Sequence, residues 1–401
     1  MKYIQIIFCT IIVAFLGIVG VCTLDNKIPS NEDELRTFTM FPELDYKRFR
    51  DVEYLNQISD AFTDQLEWRW NFVEGYFTFT KDILKQSTLG DIVVGKDQVL
   101  FNKPLEIRDW KKYKKDVRKG AKLINEANAE AKKYGAKLIV LDAPRRDVDM
   151  EKYIPSYYPN YEEEFEECRK IKREELDPDI PVIDVKEVFE EHNPEGDNRY
   201  WYYNDHHINC RGAELVLEEI MKIVNEDHPE VKQKKLDEYK IVKQQVYGAL
   251  NRKIGLSAKA PDEELNLIPD GWEVPYERWD DGEKSDRPIL ATGEENNTYS
   301  YAYMGDNYGE TIVKTNRKEL PSIYYCGSSF TNVLEAMSVP SFNNMYSTDL
   351  RFNDTEYTMV DYIKKFRPDY VVFISGQSTA TYNYKHVKQH LGLLKDSMDL
   401  D

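Results

Sequence analysis

The sequence predicts an α/β protein, with a sheet of buried strands carrying helices on both faces. An irregular, β-rich insertion interrupts it, and an apolar helix of membrane-spanning length precedes it. Three observations predict the sheet. An amphipathic pattern over 110–134 stops at Gly135, a residue suited to the left-handed position after a helix, and the run 136–141, apolar apart from Lys137, follows before Asp142-Ala143-Pro144. The same cadence recurs as a helical pattern over 161–175, the strand Val182-Ile183-Asp184 and helices over 185–191 and 212–224. It returns late in the chain, with a strand from Ile323 to Cys326, helices over 332–337 and 355–365, and a strand over 370–374. Strands that are apolar throughout, rather than alternating, are buried on both faces, as in a parallel sheet between helix layers.

Taken in order, the chain opens with Met1-Lys2 and an apolar run from Tyr3 to about Thr23, with no further charge until Asp25. About 20 apolar residues match the thickness of a bilayer. The basic start and acidic far side orient the remainder outward. An uncleaved anchor over 1–24 is the favoured reading. A signal peptide is its rival, although no A-x-A site follows the run and Val21 before Cys22 fits a lipoprotein box poorly. Either way the bulk of the chain is exported: a single-pass membrane protein with an extracytoplasmic domain, or a secreted one if the leader is removed.

Residues 25–53 read as a charged connector. An aromatic helical pattern over 54–84 contains Trp68-Arg69-Trp70-Asn71-Phe72. A hairpin signature follows over 92–101 around Gly95-Lys96-Asp97. The α/β domain is assigned to 54–225 and 317–401, and the segment 226–316 to an insertion where glycine, proline and acidic clusters interrupt short aromatic strands. A terminal helix is expected to end near Leu394-Lys395-Asp396.

Composition excludes several classes. With 41% hydrophobic residues, 17 Phe and 28 Tyr, the chain has ample material for a core. A formal charge of −18 disfavours nucleic acid as a partner, because phosphate binding needs a basic field. The five cysteines include two in the apolar run and form no C-x-x-C, so no disulfide scaffold is indicated.

The stretch carrying chemistry is Asp205-His206-His207, just before the 212–224 helix. In an extended backbone Asp205 and His207 project to one side, so the carboxylate can fix the imidazole as in a hydrolase triad. The competing reading makes Asp205 a helix cap and the histidines surface or core residues. The candidate nucleophile is Ser329, in Cys326-Gly327-Ser328-Ser329-Phe330 between a buried strand and a helix start, where free backbone N–H groups can hold an oxyanion. Serines there also cap helices. Ser328 is a register-slipped alternative, and Cys326 sits at the end of the apolar strand. His386 and His390 have metal-compatible spacing but lack a Glu and a third ligand. Asp349 and Arg351 read as an ion pair, and Asn307 as turn chemistry or an oxyanion donor. No metal and no cofactor is expected.

These residues resemble the DHHW family, related to the SGNH-hydrolase-like domains of alginate O-acetylation proteins. Asp205-His206-His207 with Asn209 and Gly212-Ala213 carries the likeness. Gly95-Lys96-Asp97, Ala143-Pro144-Arg145, Tyr247-Gly248-Ala249-Leu250, Pro261-Asp262, Tyr303-Met304-Gly305-Asp306-Asn307, Gly327-Ser328-Ser329-Phe330 and Thr348-Asp349-Leu350-Arg351 follow in the family's order. The likeness spans about 54–378. Two positions depart: Ile208 stands where the family has tryptophan, and Ser328 where it has aspartate.

The resemblance implies an SGNH-hydrolase-like fold and a Ser329–His207–Asp205 triad that acetylates, or deacetylates, a polysaccharide or cell-wall glycan. A membrane-bound acyltransferase partner would supply the donor. The alternative is a catalytically silent glycan-binding or scaffold protein of a polysaccharide-modification complex.

Overall fold

The computed structural model describes residues 2–31, 34, 36–104, 107–193, 200–259, 261–269, 274–291, 298–349, 352 and 357–375. The expected terminal helix, His386, His390 and Arg351 lie outside these residues. Two compact units form: Met1–Val94 with Leu250–Lys259, and Gly95–Ala249 with Ala260–Asp401.

In the first unit, helix α1 (Lys2–Asp25) is long and apolar enough to cross a membrane, a property it shares with signal sequences. Its Phe15 ring stacks on Trp68 with centroids 6.2 Å apart, and the Thr23 hydroxyl accepts the Glu67 N–H at 3.0 Å. The single aromatic helix expected over 54–84 is instead two helices, α2 (Val52–Asp64) and α3 (Arg69–Thr78), followed by a π-turn. The break lies at Trp68, whose left-handed backbone (φ 56°) no α-helix accommodates. Asp51 caps α2 by accepting the N–H of Glu53.

The second unit is built on an eight-stranded sheet. Its strands are β1 (Lys137–Asp142), β2 (Val182–Asp184), β3 (Glu277–Asp280), β4 (Glu283–Ser285), β5 (Glu310–Lys314), β6 (Ile323–Cys326), β7 (Asn344–Thr348) and β8 (Tyr370–Ile374). The spatial order is β4-β3-β5-β7-β6-β8-β1-β2. From β7 to β2 every pairing is parallel, and β3, β4 and β5 extend the sheet antiparallel.

The stretch 226–316, read as an insertion, therefore contributes three strands to the main sheet. Among its described residues, only the ribbon of Tyr239–Gln245 and Asp262–Pro269 forms a separate pair. Strand β7 escaped the sequence reading because Asn-Met-Tyr-Ser-Thr is too polar to resemble its parallel neighbours, although it is paired on both edges.

Helices cover both faces. On one side, α4 (Trp110–Lys133) packs with α5 (Glu162–Glu175) and α9 (Met359–Phe366). Its stripe of Ala121, Ile124, Ala127 and Ala131 shares a core with Leu138, Val140, Tyr324, Val371 and Phe373. The 3.6-residue period of the helix meets the two-residue period of the strands there. On the other side lie α6 (Val185–His192), α7 (Cys210–Asp227) and α8 (Asn332–Ser338). Tyr325 on β6, whose neighbour Tyr324 faces the first layer, bonds Ser338 of α8 at 2.5 Å. This arrangement brings the carboxyl ends of β6, β7, β8 and β1 to one edge of the sheet, where doubly wound folds place their chemistry.

Candidate active site

The Asp205 loop is a tight bend rather than an extended segment. Trp201 and Ile208 pair across it as an antiparallel bridge, and the Asn209 N–H donates to the Tyr200 carbonyl at 2.9 Å. Asn209, not Asp205, caps α7, accepting the N–H groups of Arg211 and Gly212 at 3.1 Å each. Asp205 is thereby available to the imidazole. Its Oδ1 accepts the His207 backbone N–H at 3.1 Å, an Asx-type turn, and lies 2.5 Å from His207 Nδ1. Ile208, where the related family has tryptophan, is fully buried beside this bend.

Ser329 arrives from a remote part of the chain. It follows β6 and opens the short turn Ser329–Thr331 that leads into α8. Its Oγ lies 2.8 Å from His207 Nε2. With Nδ1 donating to Asp205, Nε2 is the acceptor for the serine hydroxyl. Ser328 points elsewhere, its Oγ accepting the Phe330 N–H at 3.4 Å as the cap of the turn. An aspartate would cap this position in the same way, so the departure at 328 leaves the turn formed. Cys326 is buried, and burial pushes its thiol up to about 12, which removes it as a nucleophile at neutral pH.

Several further groups hold this line in place. The second oxygen of Asp205 accepts the Ala249 N–H at 2.7 Å. Gly248 lets that segment approach: a Cβ there would sit 2.1 Å from the Asn204 carbonyl oxygen and 2.6 Å from the Asp205 nitrogen. Tyr299 stacks its ring on the His207 ring, with centroids 3.9 Å apart and planes 7° from parallel. Its hydroxyl donates to the Phe330 carbonyl at 3.3 Å and accepts the Val333 N–H at 3.2 Å, tying the imidazole to the serine turn. The buried Arg146 guanidinium binds the carbonyls of Leu100, Tyr202 and Tyr203, just upstream of Asp205. The motif containing Gly248 and the Arg146 neighbourhood were visible in the sequence; Tyr299 carried no signal.

Burial alone pushes the Asp205 carboxyl up. The charge and hydrogen bond of His207, with His206 and the Ala249 N–H, outweigh it and hold the group well below the usual carboxylate range. Asp205 is therefore an anion at neutral pH. Asp205, His206 and His207 each offer a ligand atom within 4.8 Å of the others, a spacing that could hold a metal ion, but the Asp205 and His207 atoms are already bonded to each other.

Glu263 behaves oppositely. Burial lifts its carboxyl to about 8, against the Tyr203 N–H and the Arg146 charge. A raised acid stabilises the fold below its unfolded value of about 4.3, and that contribution is lost as pH rises through the folded value. Glu263→Gln is expected to flatten a decline in stability, on the order of a few kcal/mol, between about pH 5 and pH 8. Thermal melts across that range check it; parallel curves for the two proteins would count against the assignment.

The chain has known counterparts. Residues 92–271 match the family described as SGNH hydrolase-like domain, acetyltransferase AlgX. A DHHW family protein from Eubacterium siraeum superposes with a TM-score of 0.57 at 17% identity, over 75% of this chain and 94% of that one. Bacillus cereus PatB1, solved with a sulfonyl adduct, gives 0.59 at 18% identity, over 73% and 97%. No curated protein matches the chain by sequence.

Proposed function

The chain carries an SGNH-hydrolase-like fold, related to the DHHW family and the alginate O-acetylation proteins, and from that premise we propose that it is a membrane-anchored, extracytoplasmic polysaccharide O-acetyltransferase. The observation that supports this reading is the continuous line Asp205 Oδ1–His207 Nδ1 and His207 Nε2–Ser329 Oγ, at 2.5 and 2.8 Å.

In the first half-reaction Ser329 Oγ attacks the acetyl carbonyl of the donor while its proton passes to His207 Nε2. Asp205 stabilises the imidazolium without taking the proton. The Ser329 N–H, with no acceptor among the described residues, and the Asn307 amide are the proposed oxyanion donors. Asn307 is suitably turned, since its oxygen accepts from Asn332 Nδ2 at 3.1 Å and its NH2 remains the donating side. Collapse expels the leaving group, which takes the proton from His207. In the second half-reaction a sugar hydroxyl gives its proton to His207 and attacks acetyl-Ser329, forming the sugar ester and restoring the serine. Water in place of the sugar makes the same site an esterase.

The test supplies the full chain, in lipid vesicles, with 4-nitrophenyl acetate and a soluble polysaccharide. Acetyl esters on the sugar, absent with Ser329→Ala, are expected. Acetate release without sugar esters would replace the transferase with an esterase, and neither product would sink the proposal.

A further inference from the structure

The turn that presents Ser329 contains a proton-counting problem. Thr331, fully buried, has one hydroxyl hydrogen and two acceptors within reach: the Ser328 carbonyl at 2.8 Å and Glu335 Oε1 at 2.6 Å. Both contacts cannot be made by the same hydrogen. They can both be made if Glu335 carries a proton: its O–H then donates to Thr331 Oγ1, and the Thr331 O–H donates to Ser328. If Glu335 is ionised it takes the threonine hydrogen, and the Ser328 carbonyl keeps only the Thr331 N–H at 2.9 Å.

The threonine side chain packs over Gly327. A Cβ on that glycine would lie 2.6 Å from Thr331 Oγ1. We infer that Glu335 is a positioning residue for Ser329: in its protonated form it completes a Glu335–Thr331–Ser328 chain that holds the nucleophile turn, and on ionisation it breaks that chain. This rests on the reading of Ser329 as nucleophile.

The surroundings favour a proton within the working range. Glu335 is buried, and burial lifts its carboxyl to about 7, opposed by hydrogen bonds from Thr331 and Ser347. The charged groups around it are Asp349 after β7, which raises it further, and Arg278 on β3, which lowers it. Asp306 and Tyr308 line the small cavity it shares with Ser328. Tyr299 and Tyr325 also feel its charge and stay neutral, their hydroxyls pushed up by burial.

The experiment compares acylation rates of the full chain by 4-nitrophenyl acetate across pH, as the ratio of variant to parent, so that any pH dependence common to both cancels. Glu335→Gln keeps a donor for Thr331 at every pH. Its ratio is expected near one in acid and to rise roughly 3- to 10-fold above a midpoint near 7, the effect of one hydrogen bond. Thr331→Val removes the hydroxyl, so its ratio is expected below one in acid and to approach one above the same midpoint. It also serves if the glutamine variant fails to fold. A ratio independent of pH for the folded variants, with Ser329 still acetylated in the parent, overturns this inference alone. A parent that is not acetylated at Ser329 removes the nucleophile reading and this one together.

Discussion

Replacing His207 with alanine is expected to lower the rate of Ser329 acylation by roughly 10⁴- to 10⁶-fold, the scale seen when the base of a triad is removed. The reason is geometric as well as chemical. The serine hydroxyl loses the nitrogen that stands 2.8 Å away, and no other described base lies within hydrogen-bond reach of it. Stability should fall too. Asp205 is buried, and the imidazole at 2.5 Å is the chief reason its carboxyl stays ionised. A lowered carboxylate stabilises the fold above its unfolded value of about 3.9, and the contribution is lost as pH falls through the folded value. Without His207 that contribution shrinks, so His207→Ala should lose less stability than the parent on acidification. Stopped-flow acylation and acid titration of the melting temperature read the two effects separately.

Gly248→Ala is expected to be the most damaging change outside the triad line. The added methyl would meet Asn204 carbonyl oxygen and carbon at 2.1 and 2.4 Å, and the Asp205 nitrogen at 2.6 Å. All three are backbone atoms, so no side chain can rotate out of the way. Either the 247–249 segment or the Asp205 bend must move. Both movements break the Ala249 N–H bond to the carboxylate and misdirect the imidazole. Destabilisation of about 2–4 kcal/mol and a loss of acylation of about 100-fold or more are expected. Gly135→Ala is the informative contrast. That glycine has φ +80° but nothing within 4 Å of a new Cβ, so it should cost stability through backbone strain and leave the reaction unchanged. Equal effects of the two changes on acylation would remove the clamp from the account.

Much of the fold was legible because burial leaves a strong mark on sequence. The run 138–141 after Gly135, and the strands at 323 and 370, had to be apolar on both faces to lie between two helix layers. The strands of 277–314 were harder to read. They extend the sheet antiparallel, where one face can be polar, and Glu310–Lys314 alternates half-buried with buried side chains. The aromatic pattern over 54–84 could not reveal its break, because Trp68 adopts a conformation that its residue type disfavours.

At the site, Asp205, His207 and Ser329 were visible as residue types in suggestive surroundings. Their supports were legible only in part: the motifs around Gly248 and beside Arg146 stood in the sequence, but what the Ala249 N–H, the Tyr299 ring and the Arg146 guanidinium do depends on contacts made only in the folded chain. The Asp205 bend was itself misjudged as extended. Its Asx turn brings the carboxylate to the same imidazole by another backbone route.

One observation bears on the central claim more directly than any rate: the location of the acetyl group after the full chain reacts with 4-nitrophenyl acetate. Peptide mapping by mass spectrometry is expected to find a single acetyl on Ser329 in the parent protein, and none at that position in His207→Ala within the same reaction time. An acetyl on Ser328 or elsewhere, with Ser329 unmodified, would contradict the assignment of the nucleophile and with it the proposed reaction.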